Sequence, residues 1–215
     1  MKLISVNVGL PREITWEGRR FTTGIFKQPV QGPVSLQRFN LTGDRQADLS
    51  AHGGRYKAVY GYPSEHYDYW RAELAQDRLD WGTFGENLTT QGLHESAVQI
   101  GDRYRIGTVE LVVSQPRKPC FKLGIRLANM EMVQRFQNSR RTGFYFAVGE
   151  EGALEAGDSI ELVAREANSI TVADANRLYN SEGQDREMLE RALQIRGLSE
   201  NWRRHFEDQL RRISS

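Results

Sequence analysis

Glycine and proline cut residues 1–167 into short apolar runs, and this punctuation restricts the fold more than any other feature of the sequence. Leu3 to Leu10 alternates, with Ile4, Val6 and Val8 on one face, and Pro11 ends the run. A period of two marks a strand with one buried face. Further strands are predicted over Gly18–Phe26, Val34–Leu41, Lys57–Tyr62, Gly143–Val148 and Ser159–Ala164. A hairpin is predicted from Ala97–Ile106 into Thr108–Ser114, where Val109, Leu111 and Val113 alternate after the turn signal at Ile106-Gly107. Two stretches switch to a helical period. One holds Tyr67, Trp70 and Leu74 behind an N-cap at Ser64 and fades by Asp80; the other holds Met132, Val133 and Phe136 within Met130–Arg141. Many short strands with few helices between them argue for a closed or nearly closed β-barrel rather than repeated βαβ units.

The pattern changes at Ala167-Asn168. Beyond it lie three predicted helices. Ile170, Val172, Ala175 and Leu178 mark the first, with Thr171 and Asp174 in capping positions. Met188, Leu189, Ala192 and Leu193 mark the second, and Leu198, Trp202, Phe206, Leu210 and Ile213 the third, with Ser199 as its N-cap. The expected organisation is a β domain over 1–167 and a three-helix C-terminal domain over 168–215. The helical part carries eight basic and eight acidic residues, a balance that argues against a DNA-reading helix-turn-helix. The whole chain, at +1, has no field to attract a nucleic acid polymer or an anionic membrane surface. No stretch approaches the roughly 20 apolar residues of a membrane span, and the N-terminus lacks the apolar core of a signal peptide. One cysteine excludes both an intrachain disulfide framework and a zinc site built from several thiolates, so a reducing, cytoplasmic setting is expected.

That cysteine stands in Ser114-Gln-Pro-Arg-Lys-Pro-Cys120-Phe-Lys-Leu123, directly after the hairpin's second strand. Arg117, Lys118 and Lys122 flank it, and Pro116 and Pro119 restrict the loop. Nearby cations favour the thiolate, which is the form that attacks and binds metals. The competing reading is a small buried apolar residue. A second polar segment, Thr42 to Tyr60, holds Asp44, Asp48 and His52 at intervals of four among Gly43, Gly53 and Gly54. An Asp–His pair can fix an imidazole's tautomer for acid/base work, and the same residues can equally form a solvated turn. Phosphate-loop, dinucleotide, G-x-S-x-G and HExxH motifs are all missing.

Six segments in order resemble the MOSC superfamily. They are Gly43-Asp-Arg-Gln-Ala-Asp48, His52-Gly-Gly54, Lys57-Ala-Val-Tyr60, Phe84-Gly-Glu-Asn-Leu-Thr89, Ile100-Gly-Asp102, and Ser114-Gln-Pro-Arg117 with Pro119-Cys120 and Lys122-Leu123. The helical tail is similar to that of the YiiM-like branch. The resemblance implies a fold that is mostly β with helices: a MOSC-type β-barrel followed by a small three-helix C-terminal domain. It also implies a molybdenum cofactor (molybdopterin), with Cys120 as the protein's metal ligand. Asp48 and His52 would then be an acid/base pair beside it, and Lys27, Asn87 and Arg117 candidates for holding the pterin and its phosphate. Arg45, Arg55, Lys118 and Lys122 are read as solvated charges. The implied activity is reduction and detoxification of N-hydroxylated compounds such as N-hydroxylated purine bases. A separate flavin or iron–sulfur protein would supply electrons, since the chain has no redox motif of its own. The alternative is a sulfur carrier or cofactor-handling protein with a persulfide on Cys120.

Overall fold

In the computed structural model, which describes residues 1–47, 53–180 and 185–213, an eight-stranded sheet is followed by three helices. The sheet is built from β1 (Lys2–Val8), β4 (Gln28–Val30), β6 (Val59–Pro63), β7 (Leu88–Gln91), β8 (Arg103–Ile106), β9 (Val109–Pro116), β10 (Phe144–Glu150) and β12 (Ile160–Ala164). Two short antiparallel pairs stand apart, β2 (Arg12–Trp16) with β3 (Arg19–Thr23), and β5 (Val34–Leu36) with β11 (Gly152–Leu154). The sheet order is β12-β8-β9-β10-β6-β7-β1-β4, antiparallel except for the β6–β7 pair. Its ends meet. Lys2 bridges Ser159, Leu3 N–H donates to Asp158 O at 2.9 Å, Gly157 N–H to Leu3 O at 2.8 Å and Ile160 N–H to Met1 O at 2.9 Å. Main-chain bonds thus join β1 to the entry of β12, so the polar edges of these two strands are satisfied where they meet.

The hairpin predicted around Gly107 forms, but its first strand starts at Arg103; residues 97–102 turn instead, with Asp102 Oδ2 accepting from Gln99 N–H at 3.0 Å. The strand expected over Gly18–Phe26 stops at Thr23, and that over Val34–Leu41 stops at Leu36. The N-cap residue of α1 (His66–Leu74) is Glu65 rather than the expected Ser64, which contributes only its carbonyl, accepting from Tyr67 N–H at 3.0 Å; the helix ends in a left-handed turn at Ala75. An unforeseen short helix, α2 (Phe121–Arg126), begins immediately after Cys120, and α3 (Met132–Ser139) follows it.

The three C-terminal helices are α4 (Val172–Asn180), α5 (Arg186–Leu193) and α6 (Glu200–Ile213). The expected caps hold: Thr171 Oγ1 accepts from Asp174 N–H at 3.0 Å, and Ser199 Oγ from Trp202 N–H at 3.4 Å. Leu178, Leu189, Trp202 and Phe206 belong to the same buried cluster as Val109, Leu111 and Val113 of β9. The apolar interior therefore runs unbroken from sheet to helices, and burial on this scale is the main driving force holding them together. A second cluster gathers Tyr60, Tyr62, Tyr67, Trp70, Phe84, Leu123 and Phe136 beneath the Cys120 loop. Among the described residues no helix is long and apolar enough to cross a membrane.

Phe136 is fully buried, its ring stacked 5.2 Å from that of Trp70 and 5.8 Å from that of Tyr62. Phe136→Ala is expected to lower the free energy of unfolding by about 3–5 kcal/mol, read from urea titrations of both proteins.

Candidate functional site

Strand β9 ends at Pro116, and the next residue points its side chain into the protein. Arg117 is 5% exposed. Its guanidinium donates to Tyr60 Oη at 3.0 Å and Phe84 O at 2.8 Å, and lies 4.5 Å from the Tyr60 ring centroid and 5.4 Å from that of Phe136. Among the described residues no carboxylate is within ion-pair distance of it. Burial works against its charge, yet its pKa stays above the ordinary value, with the Cys120 charge and the hydrogen bond to Tyr60 acting in its favour. Burial raises the Tyr60 pKa, so the phenol stays protonated and gives its own proton to Thr142 O at 2.7 Å. Gly143 lets these rings come close: at φ +65° it has no Cβ, and one added there would lie 2.8 Å from Tyr62 and 2.9 Å from Tyr60.

Three residues on, Cys120 adopts an extended backbone as the N-cap residue of α2 and is partly exposed. It lies on the wall of a cleft of about 650 Å³, open mouth included. Lys27, Asn87 and Arg117, predicted from the sequence, line the same cleft. Arg45, Lys118 and Lys122, read from sequence as solvated, also face it. With Lys57, the described residues of the lining include six cations against one carboxylate, Asp44. Burial pulls the Lys57 ammonium below its usual pKa, and the charge on Cys120 acts in the opposite direction.

Asp44 and Lys27 form a buried ion pair. Burial lowers the Lys27 pKa, and the Asp44 charge opposes the fall. Asp44 also accepts from Gly9 N–H at 2.9 Å and from Asn87 Nδ2 at 2.9 Å. Asn87 accepts in turn from Tyr60 N–H at 3.1 Å and donates to Asn7 O at 3.3 Å. Its amide is thereby committed to holding Asp44 and the strand ends. Next to it the fully buried Glu86 accepts from Gly82 N–H at 2.8 Å, Phe84 N–H at 3.1 Å and Thr89 Oγ1 at 3.1 Å, and from the Tyr67 hydroxyl. Burial raises its pKa. The Phe84–Thr89 segment is thus a turn anchored by its own carboxylate.

Asp48 and His52 lie outside the described residues. Sequence reasoning passed over Tyr60, Tyr145 and Lys57 as site residues, since apolar spacing carries no trace of what a tyrosine in a strand or a lysine in a short turn of helix faces. Asp44 stood in a quoted motif, but its partner Lys27 is distant in sequence.

The arrangement is a cationic, partly enclosed cleft with one thiol on its wall. Among the described residues no three His, Cys, Asp or Glu side chains cluster as a metal site, so a metal at Cys120 would draw its other ligands from outside this set. The thiol and the cations fit a metal cofactor that brings its own sulfur ligands and an anionic group.

The MOSC domain family matches residues 48–161, and the family described as YiiM-like, 3-alpha helix domain matches residues 170–212. The chain is 43% identical over 204 residues to the uncharacterised protein YflK of Bacillus subtilis (strain 168), covering 95% of this chain and 92% of that one. It is 35% identical over 181 residues to a protein named "Reductase" from Gibberella moniliformis (strain M3125 / FGSC 7600), a match that takes in 83% of this chain and 32% of the fungal protein. The crystal structure of YiiM from Geobacillus stearothermophilus superposes with a TM-score of 0.81 at 34% identity, covering 97% of this chain and 98% of that one.

Asp44→Asn would leave the buried Lys27 ammonium without its counter-charge, and is expected to lose roughly 3–5 kcal/mol of stability in urea unfolding. Adding Lys27→Met to the same chain is expected to restore part of that loss, and the coupling is read from the double-mutant cycle.

Proposed function

Because the chain belongs to the MOSC domain family, in the branch with a YiiM-like three-helix domain, we propose that it is a molybdenum-cofactor-dependent oxidoreductase. Its substrates on this reading are N-hydroxylated compounds, N-hydroxylated purine bases among them. The observation that carries the proposal is the cleft that the chain's only cysteine shares, among the described residues, with six cations and one carboxylate. The name of the fungal relative supports the redox class.

The overall change is R–NH–OH + 2 e⁻ + 2 H⁺ → R–NH₂ + H₂O. A separate flavin or iron–sulfur protein delivers the electrons. The cofactor, when bound, supplies the two-electron chemistry at its metal. The chain's residues do the rest. Cys120 holds the metal through its sulfur. Arg117, already buried and charged, draws the anionic part of the cofactor inward, and Lys57 and Lys122 add to the attraction nearer the thiol. Lys27 is kept in place by Asp44, and Asn87 acts by holding Asp44. The Asp48–His52 pair serves as acid and base, with His52 giving a proton to the departing oxygen.

The test is protein expressed in a cofactor-competent host, with molybdenum counted per chain and reduction of N-hydroxylated adenine followed with a reduced viologen dye as electron donor. Wild type is expected to carry molybdenum and turn over. Cys120→Ala should lose both. His52→Ala should lower turnover well beyond its effect on molybdenum content, and equal losses would rule out the acid/base role. Purified protein without molybdenum but with a labile sulfane sulfur on Cys120 would favour sulfur transfer instead.

A further inference from the structure

A second cleft opens on the other side of Cys120. Its volume is about 280 Å³, at the lower edge of the roughly 300–1,000 Å³ usual for small-molecule sites. Lys57, Lys118, Cys120 and Tyr145 line both clefts. The remaining wall is different in kind: Gln115 and Pro119 from the strand end and loop, Tyr179 from α4, and Asn201 and Trp202 from α6. Among the described residues it contains aromatic faces and amides but no carboxylate.

Gln115 carries the second observation. It is 4% exposed, and its Oε1 has no hydrogen-bond partner. Its Nε2 reaches only the neighbouring Pro116 O, at 3.5 Å. An unmet buried acceptor is costly, and native proteins rarely leave one without a reason. Gln115 pairs with Tyr145 across β9 and β10 and so shares its face of the sheet. The helical wall is fixed to the same strand end, since Ser199 N–H donates to Ser114 O at 3.3 Å. Tyr179 is braced between Lys118, whose Nζ lies 3.6 Å from its ring centroid, and His205, stacked at 3.8 Å.

We propose that this second cleft is the substrate subsite, shaped for a flat, uncharged nitrogen heterocycle whose N–H donates to Gln115 Oε1 once that side chain, whose oxygen is shielded from solvent, turns toward it. Trp202, Tyr179 and Tyr145 supply the apolar walls, and Cys120, on both linings, marks where the cofactor cleft and the substrate cleft meet. The assignment rests on the reading that the reacting centre is held at Cys120. It gives the three helices a direct part in recognition.

The full-length chain is titrated calorimetrically with adenine and, as a donor-free control, with N6,N6,9-trimethyladenine. Wild type is expected to bind adenine and to bind the trimethylated base much more weakly. Gln115→Leu should weaken adenine about tenfold or more while leaving the control unchanged, and Gln115→Glu, which keeps an acceptor oxygen, should recover part of the loss. Tyr179→Leu, at a half-buried position, should also weaken adenine under conditions where thermal unfolding shows the variant still folded. Cys120→Ala should still bind adenine while losing reduction. In the molybdenum-loaded enzyme Gln115→Leu should raise KM for N-hydroxylated adenine by a similar factor at unchanged molybdenum per chain. Unchanged adenine affinity in Gln115→Leu or Tyr179→Leu, or absence of adenine binding to wild type, overturns the subsite. Absence of molybdenum or of reduction in wild type with Gln115-dependent adenine binding intact counts against the proposed reaction alone.

Discussion

A guanidinium buried with no carboxylate partner among the described residues is the constraint around which this structure is arranged. Taking a charge out of water is unfavourable by several kcal/mol unless something replaces its hydration. For Arg117 the replacements are a phenol oxygen, a carbonyl oxygen and two ring faces, and each of them needs support of its own. Tyr60 is kept in position by Asn87 on its main chain and Thr142 on its hydroxyl. Phe84 is held by the turn that Glu86 anchors, and Phe136 by the stack on Trp70. The second aromatic cluster is therefore the scaffold that makes a buried positive charge tolerable at the end of β9. None of these partners neutralises the charge. It persists at the cleft wall, so an anionic ligand entering there gains from an interaction strengthened by the low dielectric of its surroundings.

The same logic separates the two kinds of cation in the cleft. Lys27 has Asp44, and that pair is buried and closed by Gly9 and Asn87, so it contributes rigidity more than attraction. Arg45 and Lys118 are exposed and screened, and suit drawing a ligand toward the mouth better than binding it tightly. Arg117 lies deepest, and its geometry is fixed before any ligand arrives. A preformed site of this type avoids the entropy of ordering long side chains on binding.

Much of this was legible in the chain. Alternation gave most of the strands, the period of 3.6 gave the three C-terminal helices, and Thr171 and Ser199 cap as their residue types require. Cys120, Lys27, Asn87 and Arg117 do share one cleft. What escaped the sequence depends partly on single local bonds and partly on partners remote along the chain. The strand expected through Phe26 stops at Thr23, whose hydroxyl turns back to accept from Ile25 N–H at 3.2 Å, and no window of apolar spacing reports such a bond. Asn87 reads as a ligand-facing amide until its donors and acceptor are seen to be spent on Asp44, Asn7 and Tyr60. Gln115 reads as one more polar residue in an alternating strand, and only its burial beside Trp202 reveals an unmet valence.

The junction of sheet and helices explains how one sulfur can serve two clefts without the clefts drifting apart. Glu166 accepts from Gly197 N–H at 3.2 Å as well as from Arg196 N–H, fixing the turn before α6. Gly197 lies so close to the turn before β8 that a Cβ there would sit 2.7 Å from Gly101 Cα. Backbone approaches of this kind leave little room for sliding, because close-packed interiors transmit displacement rather than absorb it. The start of α6, with Asn201 and Trp202, is thereby locked to the strand end that carries Gln115 and leads to Cys120. A heterocycle seated against that wall would be positioned relative to the sulfur by the main chain itself, and a small error in placement is what a positioned reaction tolerates least.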